Sequence, residues 1–189
     1  LQRLRLRRDA GAGNAAFAIV RDGSPRTVMK RSPLVSVLAA GALSATIDIV
    51  YACSFHFFNS GVPPLRILQT IASGLLGTAS FDGGAASGAL GFAAHYFILI
   101  VAAGIYYAAS RRWRFLVERA FVAGVVFGVG IWLTMNFVVL PLSAAPPFKL
   151  SWSLGSVTNA LVHWFVLGPV IALTLERLAR TPVPHEMHE

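Results

Sequence analysis

The chain has 189 residues, 56% of them hydrophobic and 13% charged, whereas an ordinary soluble domain carries about 25% charged residues. So few charges cannot cover a water-facing surface, and four bilayer spans of about 20 residues each leave no room for a separate soluble domain. The formal net charge of +8 would suit a nucleic-acid ligand, but the basic residues bracket the apolar runs instead of forming one patch, which excludes that reading and points to loops held on the cytoplasmic side of a bilayer.

In chain order, Arg3, Arg5, Arg7, Arg8, Arg21, Arg26, Lys30 and Arg31 fill a basic tail over residues 1–32 that has no helical or strand period. Residues 1–28 read as a disordered tail or an over-extended reading frame, because Met29-Lys30-Arg31 resembles a natural start. The first apolar run, 34–58, is broken only by Asp48 and His56. It continues far beyond the Ala42-Leu43-Ser44-Ala45 stretch that imitates a leader-peptidase site, so it reads as a retained span. A shorter segment over 65–78 carries Leu68, Ile71 and Leu75 at helical spacing; it is too short to span and is expected as an interfacial or re-entrant helix on the outer face. Phe81-Asp82-Gly83-Gly84 breaks it.

Three further spans follow, at 88–109, 120–142 and 154–175. Arg111, Arg112, Arg114 and Arg119 separate the second from the third, Pro141 is expected to end the third, and Pro169 to kink the fourth. The fold class is therefore all-α: a four-helix transmembrane domain over 33–178, followed by a short tail over 179–189. The loops expected outside hold only Arg66 and Lys149, so both termini are assigned to the cytoplasm. Cys53 is the sole cysteine, which excludes an intramolecular disulfide and any multi-cysteine metal centre.

The halves resemble each other. Gly41 and Ala45 match Gly124 and Gly128 at an offset of 83, and Pro63-Pro64-Leu65-Arg66 matches Pro146-Pro147-Phe148-Lys149 at the same offset. His95-Tyr96-Phe97-Ile98-Leu99 matches His163-Trp164-Phe165-Val166-Leu167 at an offset of 68, so the first half has 15 extra residues in its outer loop. Each unit is a two-helix hairpin entering the membrane in the same direction, and the two are expected about a pseudo-two-fold axis along the membrane normal. Gly41, Ala45, Gly124 and Gly128 read as packing residues that let backbones approach closely.

The polar residues inside the spans form the candidate site. Asp48 follows Gly41 by seven residues, which returns it to the small-residue face and turns it into the bundle. His95 and His163 are expected at equivalent depths, about 10 Å inside the outer helix ends at 1.5 Å per residue. Ser156, Asn159 and His163 share one stripe of the fourth span, and Asn136 stands near the outer end of the third. Such residues hold a bundle together by hydrogen bonds between helices, or line a route for a proton, ion or small solute. Alternatively, His95 and His163 ligate a haem b in the core. Zinc lacks a third ligand. Ser44, Ser156 or Asp48 with a histidine forms no recognisable catalytic arrangement, and no phosphate loop, metalloprotease motif or nucleophile elbow is present.

Gly124 with its small-residue helix, Asn136 to Leu142, the Pro146-Pro147 loop and Leu161-Val162-His163-Trp164-Phe165 together resemble the YagU-like bacterial inner-membrane proteins. The resemblance covers the second half best and has no place for Asp82-Gly83-Gly84. It implies a multi-pass bacterial inner-membrane protein and no particular activity. The expected function is that of a small integral membrane protein with a structural, accessory or solute-handling role and no enzymatic activity. Its surroundings are the lipid bilayer and, where it assembles, a second copy or another membrane protein.

Overall fold

The structure is a computed structural model that describes residues 32–147 and 153–180. The expected basic tail before Ser32, the Phe148-Lys149 pair and the segment 181–189 lie outside the described residues. Helix α1 (Pro33–Ser60) and α2 (Pro64–Leu76) each begin on a proline, whose fixed φ is already helical and whose missing N–H costs nothing in a first turn. Gly61 ends α1 in the left-handed region at φ 68°, where its N–H donates to Phe57 O at 2.9 Å. A 3-10 turn over Gly77–Phe81 joins α2 to α3 (Gly84–Arg112). Arg111 and Arg112 end α3, where cations complement the helix dipole.

A single turn, α4 (Phe115–Glu118), leads to α5 (Ala120–Leu142), and α6 (Leu154–Ala179) completes the chain. Ser153 opens α6 by accepting the Ser156 N–H at 3.2 Å. The chain is thus all-helical over the described residues, and α1, α3, α5 and α6 are long and apolar enough to cross a membrane.

These four spans run alternately up and down. One end of the molecule, the basic face, holds Arg111, Arg112, Arg114, Arg119 and Arg177; the other, the α2 face, holds α2, the 3-10 turn and residues 143–147. Helix α1 packs along α3, α5 along α6, and α1 also along α6. Helix α2 lies along α3 and reaches across to the second hairpin, whose Ala144 N–H donates to Gly74 O at 3.0 Å.

Both hairpins cross at matching positions. A Cβ on Gly41 would stand 2.5 Å from Ile100 Cα, and one on Gly124 would stand 2.6 Å from Pro169 Cα and against the Gly168 carbonyl. Ala45 meets His95, and Gly128 lies on the His163 carbonyl. Under the offsets of 83 and 68, Ala45 and His95 correspond to Gly128 and His163, while Ile100 corresponds to Gly168, one residue before the nearest contact of Gly124. Between hairpins the correspondence stops: α1 packs on α6, whereas its counterpart under a two-fold, α5 on α3, makes no comparable contact among the described residues. Helix α2 occupies the flank of α3 in the first hairpin and has no equivalent in the second among the described residues.

Two expectations need correction. The second span begins at Gly84, four residues before the hydropathy edge, because Gly84-Ala85-Ala86-Ser87 has little hydrophobicity but is still helical, with Ser87 buried and the other three exposed. The irregularity expected at Pro169 is a π-turn over His163–Leu167, just before the proline. The same device recurs at Pro141, preceded by a π-turn over Met135–Val139. A proline ring crowds the carbonyl four residues back, and the wider turn gives that carbonyl room.

Candidate functional site

The buried face of α1 carries Gly41, Ser44, Ala45 and Asp48 at helical spacing. Opposite lies the buried stripe of α3 with His95. Asp48 and His95 are 8% and 7% exposed, and their burial places a carboxyl and an imidazole in contact in the middle of the bundle. His95 Nε2 lies 3.1 Å from Ala45 O and 3.7 Å from Asp48 Oδ2. A carbonyl can only accept, so Nε2 carries the hydrogen and donates it to Ala45 O. The contact with Asp48 is an ion-pair distance, too long for a good hydrogen bond. Asp48 Oδ1 is buried with no partner. That oxygen carries unused hydrogen-bonding capacity, at a cost of about 1–3 kcal/mol.

Neighbouring hydroxyls tie the same level together. Thr46 Oγ1 donates to Ala42 O at 2.8 Å, so its 2.8 Å bond to Tyr96 is one that Tyr96 OH donates. Ser44 Oγ donates to Leu167 O at 3.4 Å, linking α1 to α6. Tyr51 OH donates to Thr158 Oγ1 at 2.8 Å and adds a second such link toward the α2 face. None of these three bridges was among the sequence candidates. Ser44 entered the sequence reading only beside a histidine as a nucleophile, although it shares the face defined by Gly41, Ala45 and Asp48; Tyr96 and Tyr51 carried no signal in the pattern.

The pair is deeper than expected. His95 is 11 residues from the start of α3 and Asp48 is 12 from the end of α1, so each is roughly 17–18 Å along its helix from the α2 end at 1.5 Å per residue. The added first turn of α3 accounts for most of the difference from the expected 10 Å.

The other candidates do not join this pair. His163 Nδ1 is 2.9 Å from Asn159 O, one turn earlier on the same helix, and donates to it. Asn136 Nδ2 donates to Trp132 O at 2.8 Å, also one turn earlier. Asn136 instead lines a cavity of about 300 Å³ with Leu140, Pro141, Ala145, Pro146 and Pro147. Trp132 and Trp164 meet edge to face at 5.9 Å beside His163, and Trp164 Nε1 is buried without a partner. Asp48, His95, Asn159 and His163 thus form one interhelical pair and one local bond, to a backbone carbonyl, and Asn136 makes a second local bond of its own. Backbone carbonyls satisfy a histidine or asparagine within its own helix, which sequence spacing alone does not reveal.

His56, at the α2 end of α1, is half-buried with its ring edge-on to Phe55 at 5.3 Å. Of the two histidines expected to ligate a haem, one is engaged between helices and the other within its own helix. The Nε2 of His95 is directed to α1, at Ala45 O and Asp48, and His163 is bound to its own helix through Nδ1. Neither the Asn136 cavity nor the shallow aromatic one at Tyr51, Phe55 and Phe58 is lined by either histidine. Among the described residues no group of three or more His, Cys, Asp or Glu side chains is placed to hold a metal ion.

No protein-family model matches the chain, and neither a curated protein nor a solved structure is similar to it.

Proposed function

We propose that this is a bacterial inner-membrane protein, with both termini cytoplasmic, that handles a proton or a small solute at the Asp48–His95 pair. The observation that carries the reading is the unpartnered Oδ1 of Asp48 beside an imidazole in the middle of the spans. An ionisable side chain there costs about 2.5–3.5 kcal/mol on insertion scales. A purely structural contact would be expected to satisfy the carboxyl fully, whereas a group that gains and loses a proton, or a transient donor, needs an unoccupied acceptor.

Proton or solute flux in proteoliposomes containing the full chain tests the reading. Asp48→Asn removes the ionisable group with little change in shape and is expected to lower flux at least tenfold. Flux that persists in a folded Asp48→Asn protein takes Asp48 out of the route, and absence of flux in the unmutated protein defeats transport itself. A structural role is the second reading, supported by the bond from His95 to Ala45 O, which joins α3 to α1. Purified protein expressed with ample haem is expected to lack a Soret band; a stoichiometric band would restore the haem alternative.

A further inference from the structure

The surroundings of the pair differ sharply in its two axial directions. Toward the α2 face the buried stripe of α3 consists of Gly91, Gly88 and Ser87, and toward the basic face it consists of Leu99, Ala102, Ala103 and Tyr106. The basic side is closed by an apolar cluster to which α5 and α6 contribute Ala120, Ala123, Ile171 and Leu175. Tyr106, at its far end, donates its hydroxyl to Leu116 O at 2.8 Å. The α2 side is polar and small. There α2 turns Gln69 and Ser73 inward, and Gln69 Nε2 donates to Gly84 O at 3.2 Å and to Ser87 Oγ at 3.4 Å. Ser80 in the 3-10 turn is wholly buried and its Oγ has no partner. A polar atom with unused capacity therefore lies at each end of this seam: Ser80 Oγ near the α2 face and Asp48 Oδ1 at its floor.

One contact closes the seam. At Gly91 the α2 backbone comes so near that an added Cβ would fall on the Leu68 carbonyl. Helix α2 lies directly on the stripe that leads to His95, with no side chain between. Three glycines in the left-handed region, Gly61, Gly77 and Gly84, flank α2 and its turn. At Gly61 and Gly84 the space around a Cβ is open, so the backbone conformation, not crowding, requires glycine there.

We propose that the Asp48–His95 pair exchanges protons with water on the α2 face along this seam, when α2 lifts from Gly91. This rests on the proton-handling reading above and adds its route and its gate. The proton adds to the carboxylate at Oδ1 and is later released from it, so no other reactant is consumed. Few other ionisable groups face the pair. Helix α3 brings Tyr96, engaged with Thr46; the inward face of α2 brings none; and α6 brings His163, bound to Asn159 O. Arg66 of α2 is turned away, 3.8 Å over the Phe81 ring.

The test is to lock α2 onto α3. A Cβ at position 88 would stand 3.9 Å from Leu68 Cβ, within the roughly 3.5–4.5 Å that a disulfide spans. The full chain carrying Leu68→Cys, Gly88→Cys and Cys53→Ser is reconstituted into liposomes, and deuterium exchange at imidazole C2 is read by mass spectrometry, oxidised and reduced. Oxidation is expected to slow exchange at His95 at least tenfold, and reduction to restore it, while His163 in the same molecules changes less than twofold. Equal His95 rates in the two forms, or a His95 that never exchanges in the unmutated chain, would overturn the proposal. Should the cysteine pair fail to assemble, Gly91→Ala reads the gate in reverse. The added methyl is expected to hold Leu68, and α2 with it, off α3 and speed His95 exchange at least threefold, and an unchanged rate counts equally against the gate. Flux in the same liposomes separates the two levels: gated His95 exchange without flux leaves the route and removes the transport function, whereas flux undiminished by the lock removes the route alone.

Discussion

His95 and His163 occupy matching places in the sequence but do different physical work. His95 donates across an interface to Ala45 O and faces a carboxyl, while His163 serves its own helix. Replacing His95 by Leu leaves Asp48 buried without any counterpart, which is expected to cost about 1–3 kcal/mol. His163→Leu breaks only a local bond, and less than half of that loss is expected. Thermal unfolding of both variants in detergent checks the difference, and equal losses would show that the two histidines are equivalent after all. A double-mutant cycle of Asp48→Asn with His95→Gln is expected to give a coupling of about 0.6 kcal/mol, the average for polar pairs between membrane helices. A value near zero would mean that the pair does not interact. The inward direction of Asp48 was legible because seven residues close two helical turns on the small-residue face. That His95 is its partner was not, since periodicity fixes a face within one helix and says nothing of which neighbour covers it.

At the scale of elements, the spans were legible from hydropathy and their internal departures were not. Composition gave no warning that α3 extends outward to Gly84, because hydropathy does not separate the exposed small residues Gly84, Ala85 and Ala86 from a loop. The π-turns before Pro141 and Pro169 are equally silent in a periodicity plot, although the prolines that accompany them are plain. Several glycines lie where helices cross. Gly128 lies on the His163 carbonyl and Gly168 on the Gly124 carbonyl, so α5 and α6 touch backbone to backbone. Gly128→Leu is therefore expected to separate α5 from α6 and lower stability by about 3 kcal/mol or more, at or above the usual range for overpacking. Gly130→Ala, where nothing crowds the added methyl, is the control and should be neutral. A Gly128→Leu protein that melts with the unmutated one would place the α5–α6 contact elsewhere.

Across the whole molecule the four spans are held unequally. In α5 only 6% of the apolar window is buried, against 33–39% in the other three, so α5 is a peripheral helix carried by α6. Its remaining surface, including Phe121, Val126 and Phe137, is apolar and matches the lipid expected around it. A photoreactive group on the acyl chains should accordingly label Ala120–Leu142 more heavily per residue than Pro33–Ser60. Protection of α5 in that experiment would reveal a second copy or another protein against it.

The bond from Ala144 to Gly74 has a consequence for biosynthesis. Its two ends are 70 residues apart, which at about 5–20 residues per second is roughly 4–14 s of translation. Through that interval α2 has been made but its clasp has not, and the polar seam beneath it is held only by the first hairpin. The nascent chain therefore passes through a stage in which α2 is held by its contacts with the first hairpin alone, Leu68 on Gly91 among them, and arrival of the second hairpin adds the clasp.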